Sequence, residues 1–160
     1  MSLHEPYQAR NPQYAERIHR KLEHQYFMHH LGLELSTIQP GYIEASVALQ
    51  QHHQQQDGMV HGGLTATLAD ISTGFAAFSL AAAQQRVVTA ELSVSYLKPG
   101  KGDRLLAVGW VTKPGTRLFF CEGHIYCFQE SEKTMIARAH AIMAAFIPSE
   151  NALAENGQRH

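Results

Sequence analysis

Apolar positions along this chain fall into blocks whose spacing alternates between helical and extended. After Asn11-Pro12, an N-cap followed by a proline suited to a first helical turn, Tyr14, Ile18, Leu22 and Tyr26 recur every four residues and predict an amphipathic helix from about 12 to 30. Gly32 supplies its stop. Leu33 to Leu49 reads as extended chain interrupted by a Pro40-Gly41 turn, either a strand pair or one bent strand, and Gln50 to Asp57 as a polar loop. Leu64, Leu68, Ile71, Phe75 and Phe78 then return at helical spacing and predict one long helix from about His61 to Ala83 with those side chains as its core stripe. Four β-rich blocks follow, Val87 to Leu97, Arg104 to Thr112, Leu118 to Phe128 and Met135 to Phe146, with turn formers between them such as Pro99-Gly100 and Pro114-Gly115. A disordered tail is expected from about 149.

One long helix followed by four strands joined by tight turns describes an α+β arrangement, an antiparallel sheet wrapped around a helix. The 160 residues suffice for one domain with a real core and are too few for two, so a single domain over 1–160 is expected. A formal net charge of −1 without a basic run argues against nucleic acid as a partner. No apolar stretch approaches the roughly 20 residues that span a bilayer, and the N-terminus lacks the layout of a signal peptide, so no membrane association and a cytoplasmic address are expected. Cys121 and Cys127 read as reduced structural thiols on one face of a strand. The 11 histidines, including His29-His30 and His52-His53, show no zinc-like spacing and read as surface or turn residues, so no metal is expected. Neither pattern of glycine-rich phosphate loop is present, and no cofactor is expected.

Chemistry concentrates in His61-Gly62-Gly63-Leu64-Thr65-Ala66-Thr67-Leu68-Ala69-Asp70, where a glycine-rich helix start stands at a fixed distance from one carboxylate. Unpaired amides of a first helical turn are donors to a developing negative oxygen, and Asp70 is the group to attack or to activate water. Eight helical steps place Gly62 about 12 Å from Asp70 along the axis, whereas one reacting carbonyl needs both within about 3 Å. If both serve one site, they serve it from two subunits, which predicts a homodimer with shared sites. Ala66, Thr73, Gly74 and Ala77 leave room for a ligand groove on the Asp70 face.

The order Gly58-x-x-His61-Gly62-Gly63, Asp70, Val88-Thr89-Ala90-Glu91-Leu92 and Tyr96-Leu97-Lys98-Pro99 resembles the hotdog-fold acyl-CoA thioesterases of the phenylacetate-pathway (PaaI-like) type, over roughly Leu31 to Phe146. The resemblance implies hydrolysis of an acyl-CoA by a dimer or a dimer of dimers. It makes Asp70 the general base or nucleophile and the Gly62 amide the donor that polarises the thioester carbonyl. Gln55 falls where relatives carry an asparagine or glutamine near the carbonyl or its water, and Thr89 where a hydroxyl holds the attacking water. Gly74 stands where some members carry a helical hydroxyl four residues after the acid, which favours the subgroup with a hydroxyl on the following strand.

His61, at the helix start, is expected to satisfy a backbone group or orient its neighbours, and Gly63 to permit a turn or close packing. Phe75 and Phe78 read as core rather than as an acyl pocket, and Lys98, Lys113 and Arg117 as solvated turn charges. The rival readings are a non-catalytic acyl-CoA binding module, for which Asp70 would be superfluous, and a hotdog hydratase or dehydratase, which needs a histidine–acid pair in a motif that this chain lacks.

Overall fold

The computed structural model describes residues 7–149. The chain runs α1 (Tyr14–Leu22), α2 (Tyr26–Leu31), β1 (Leu33–Gln39), β2 (Tyr42–Ala48), a single 3₁₀ turn (Gln51–His53), α3 (Gly62–Leu80), β3 (Arg86–Tyr96), β4 (Arg104–Lys113), β5 (Leu118–Gln129) and β6 (Glu132–Phe146). The six strands form one antiparallel sheet in the order β1-β2-β4-β5-β6-β3. The expected α+β hotdog arrangement, a sheet around a long central helix, is what the chain adopts. Pro40-Gly41 turns a strand pair rather than bending one strand, with Gly41 at a φ of 74° that suits glycine.

Alternating burial along β5 marks one face for the core, and Phe119, Cys121, Ile125 and Cys127 all point inward. They meet α3, which is apolar on nearly every side because the sheet curves around it. The approach is close at Gly109 of β4, where a Cβ would stand 2.4 Å from the carbonyl carbon of Ser72. The core of α3 is therefore wider than the expected stripe. Thr73 and Ala77, read as part of an open face, are fully buried, while Ile71 is only partly so. Thr73 satisfies its hydroxyl by donating to the Ala69 carbonyl at 2.7 Å.

The single helix expected from about 12 to 30 is two helices. Ile18 and Met28 are both fully buried, yet ten residues at about 100° per residue would set them some 80° apart on one straight helix. The break at Glu23–Gln25 turns Met28 inward and leaves Tyr26 70% and Phe27 60% exposed, so Tyr26 is not the core residue that the four-residue repeat predicts. Asn11 is not the expected cap: α1 starts at Tyr14 with Gln13 as its N-cap, and Asn11 Oδ1 instead accepts from the Gln13 amide at 3.1 Å in the turn that precedes the helix. The tail expected from about 149 lies almost wholly outside the described residues. Among those described, no helix is long and apolar enough to cross a membrane.

Candidate active site

Asp70 is the one charged residue of α3. It faces β3, where a bulge between Thr89 and Glu91 shifts the register against β6 and turns Thr89 toward the helix. The Thr89 hydroxyl donates to Asp70 Oδ1 at 2.6 Å, which leaves Oδ2 open. The pair opens into a cavity of about 180 Å³ that runs past Gly74 and is walled by Ile71, Phe75, Phe78 and Met143, with Lys21 and Gln25 of the N-terminal segment on the far side. Phe75 and Phe78 are buried as expected, but they also form the wall of this cavity.

Gly62 opens α3 at the other end of the same helix. Its amide N–H has no acceptor among the described residues, and its carbonyl accepts from the Tyr96 hydroxyl at 2.8 Å. Gln55, Met59, Gly62, Tyr96 and Lys98 line a second hollow of about 350 Å³. The Gln55 backbone is held in a tight turn by bonds to Met59 and Gly58, and its side-chain amide stays unpaired. Within one chain, Asp70 and Thr89 thus come together, Gln55 and Gly62 come together, and the two pairs lie in different hollows.

His61 and Gly63 serve each other. The His61 ring accepts from the Gly63 amide through Nδ1 at 2.9 Å and so caps α3. A Cβ at position 63 would stand 2.9 Å from that nitrogen, so glycine is what admits the cap.

His53 is the residue that sequence reasoning misplaced. It is 3% exposed, a turn histidine but not a surface one, and it joins three segments. Its Nδ1 accepts from the Gln50 amide at 2.9 Å, which makes Nε2 the protonated nitrogen that donates to the Leu31 carbonyl at 2.9 Å. Its own carbonyl accepts from the His61 amide at 2.9 Å. Burial pushes its pKa down, the neighbouring His52 adds to this, and the Leu31 bond opposes it. The signal was present as Gln50-x-x-His53, a capping spacing hidden in a glutamine- and histidine-rich loop. Tyr96 belonged to a motif but carried no expected role. Cys121 and Cys127 are free and buried, and burial pushes the Cys121 thiol up to about 12.

Residues 57–133 match the thioesterase superfamily. A thioesterase family protein of Silicibacter pomeroyi superposes with a TM-score of 0.83 at 32% identity, covering 84% of this chain and 99% of that one. An esterase-like protein of Caenorhabditis elegans is 33% identical over 117 residues, 72% of this chain and 67% of its own length. Human acyl-coenzyme A thioesterase 13 is 30% identical over 92 residues, 55% of this chain and 63% of its own length, so the match spans about two thirds of these two relatives. With its long helix, wrapped sheet and His-Gly-Gly helix start, the chain belongs to the thioesterase superfamily and has its hotdog fold.

Proposed function

We propose that this protein hydrolyses an acyl-coenzyme A thioester to free acid and coenzyme A, at a site shared by two copies of the chain. Asp70 and Thr89 of one copy face Gly62 and Gln55 of the other. The observation that carries this reading is the pair of hydrogen bonds at the two ends of β3: Thr89 to Asp70 near one end, and Tyr96 to the Gly62 carbonyl at the other. β3 is an edge strand of the sheet, with its outer side unpaired. If two such edges pair antiparallel about a two-fold axis midway between these residues, Thr89 of one copy falls opposite Tyr96 of the other. Each Asp70 is then brought to a second copy's Gly62. The name of the human relative supports an acyl-coenzyme A as substrate.

The free Oδ2 of Asp70 either takes a proton from water as the water oxygen attacks the carbonyl carbon, or attacks that carbon itself, giving after loss of the thiolate a mixed anhydride that water opens at the Asp70 carboxyl carbon to release the acid and restore the carboxylate. Charge gathering on the carbonyl oxygen is met by the Gly62 amide and the Gln55 side chain. The carbon–sulfur bond then breaks, its electron pair leaves with the coenzyme A sulfur, and the thiolate takes up a proton. The reaction needs no metal or cofactor in this scheme. Labelled water in a single turnover separates the two routes, since label recovered in an Asp70 peptide signals direct attack.

The test is release of coenzyme A from aromatic and fatty acyl thioesters. Asp70→Asn is expected to lower kcat by at least about a hundredfold with fold and mass retained. Unchanged turnover would reject Asp70 as the catalyst, and no turnover by the wild type on any thioester would leave a binding module as the better description.

A further inference from the structure

The cavity beside Asp70 continues along α3 to Phe78, eight residues or about 12 Å farther along the axis, and there it meets Lys21 and Gln25. The Lys21 ammonium lies 5.0 Å from the centre of the Phe78 ring. Its charged neighbours are Arg86 and Arg17, both cations, and the charge acting on Arg17 is that of Arg20. Partial burial and these guanidiniums hold the Lys21 pKa below its usual range, a repulsion that no carboxylate among the described residues relieves. Arg17 is committed elsewhere: it donates to the Ala82 and Gln85 carbonyls and stacks over Phe78 at 4.2 Å. The Lys21 ammonium and the Gln25 side-chain amide, by contrast, have no hydrogen-bond partner among the described residues. Two unused donors in a field of positive charge therefore stand at the outer, solvent-facing end of the cavity, with apolar walls between them and Asp70.

We propose that Lys21, assisted by Gln25, is a specificity-determining residue that receives an anionic oxygen group at the far end of the acyl chain, so that favoured substrates carry a terminal carboxylate. The inference rests on the thioesterase reading, because Asp70 sets which end of the ligand is the carbonyl. Coenzyme phosphates are the other source of anionic oxygen. They belong to the leaving-group side, where the wider hollow beside Gln55 and Lys98 of the second copy is available. The cavity floored by Phe75 and Met143 is left for the acyl group.

The experiment compares kcat/KM for adipoyl- and suberoyl-coenzyme A with hexanoyl- and octanoyl-coenzyme A. The carboxylated member of at least one pair is expected to be favoured by about tenfold or more in the wild type. Lys21→Met is expected to remove that preference, Lys21→Glu to invert it and Lys21→Arg to keep it. The same preference and the same loss are expected with acyl-pantetheine thioesters, which lack the nucleotide phosphates. An effect of Lys21→Met confined to coenzyme A thioesters would assign Lys21 to those phosphates and overturn the proposal. Equal wild-type turnover of carboxylated and plain chains would also overturn it while leaving the thioesterase reading intact. Absence of turnover on every thioester would remove both.

Discussion

In the proposed mechanism, Asp70 acts from the position that Thr89 gives it. A carboxylate on a helix in contact with a sheet can rotate about its side chain, and a 2.6 Å bond from the Thr89 hydroxyl holds one oxygen and presents the other. Thr89→Val keeps the shape of the side chain and removes the donor. It is expected to lower kcat/KM by about tenfold to a hundredfold, with a change of melting temperature too small to explain the loss. Wild-type kinetics in Thr89→Val would show that the bond is incidental. The candidate residues of this site could be named from the sequence because helix starts and lone carboxylates carry position-dependent chemistry that a motif preserves. His53 and Lys21 were not legible, since nothing in a polar loop says which side chain is turned inward, and nothing in an amphipathic helix says which exposed cation borders a cavity. His53 is buried by a fold that brings Leu31 to Gln50, and Lys21 reaches the cavity only because α1 lies across α3.

At the scale of elements, two contacts hold the site's halves in place. One is the close approach of β4 to α3. Gly109→Ala would put a methyl group 2.4 Å from the Ser72 carbonyl carbon, a clash between two backbones that only movement of strand or helix relieves. A loss of about 1–3 kcal/mol is expected, read as a lowered midpoint in chemical denaturation. The other is the His53 clamp between α2, the loop and α3. Its folded pKa is depressed, so the unfolded chain takes up the proton first and stability is lost as pH falls below the ordinary histidine value of 6.5. His124 is depressed in the same direction by burial and by Arg138 and adds to the trend. Denaturation midpoints at pH 7.5 and 5.5 are expected to differ in the wild type and to differ less in His53→Asn; an equal difference would assign the pH dependence elsewhere. Strand and central-helix limits were close to those read from periodicity, because each has a buried face or, in β3, a partly buried one at Val87, Leu92 and Val94. The N-terminal break was hidden because the apolar repeat runs through it unchanged, and only the competing burial of Ile18 and Met28 decides the geometry.

For the whole molecule, everything turns on the second copy. One chain holds Asp70 and the Gly62 amide in separate hollows and exposes the edge strand that touches both, so under the proposed shared site a mass of twice the 17.8 kDa chain, or a dimer of such dimers, is the expected active form. A shared site makes a demand that no single-chain site makes. In a mixed dimer of Asp70→Asn and Gln55→Ala chains, one site receives both lesions and the other receives neither. The most direct measurement is therefore coenzyme A release by the two variants co-expressed in equal amounts, beside each alone. With each variant alone below about a tenth of wild-type activity, random pairing is expected to restore about a quarter of it. Activity no greater than the mean of the two variants alone, in a preparation shown to contain mixed dimers, would contradict the shared site and return both halves of the chemistry to a single chain.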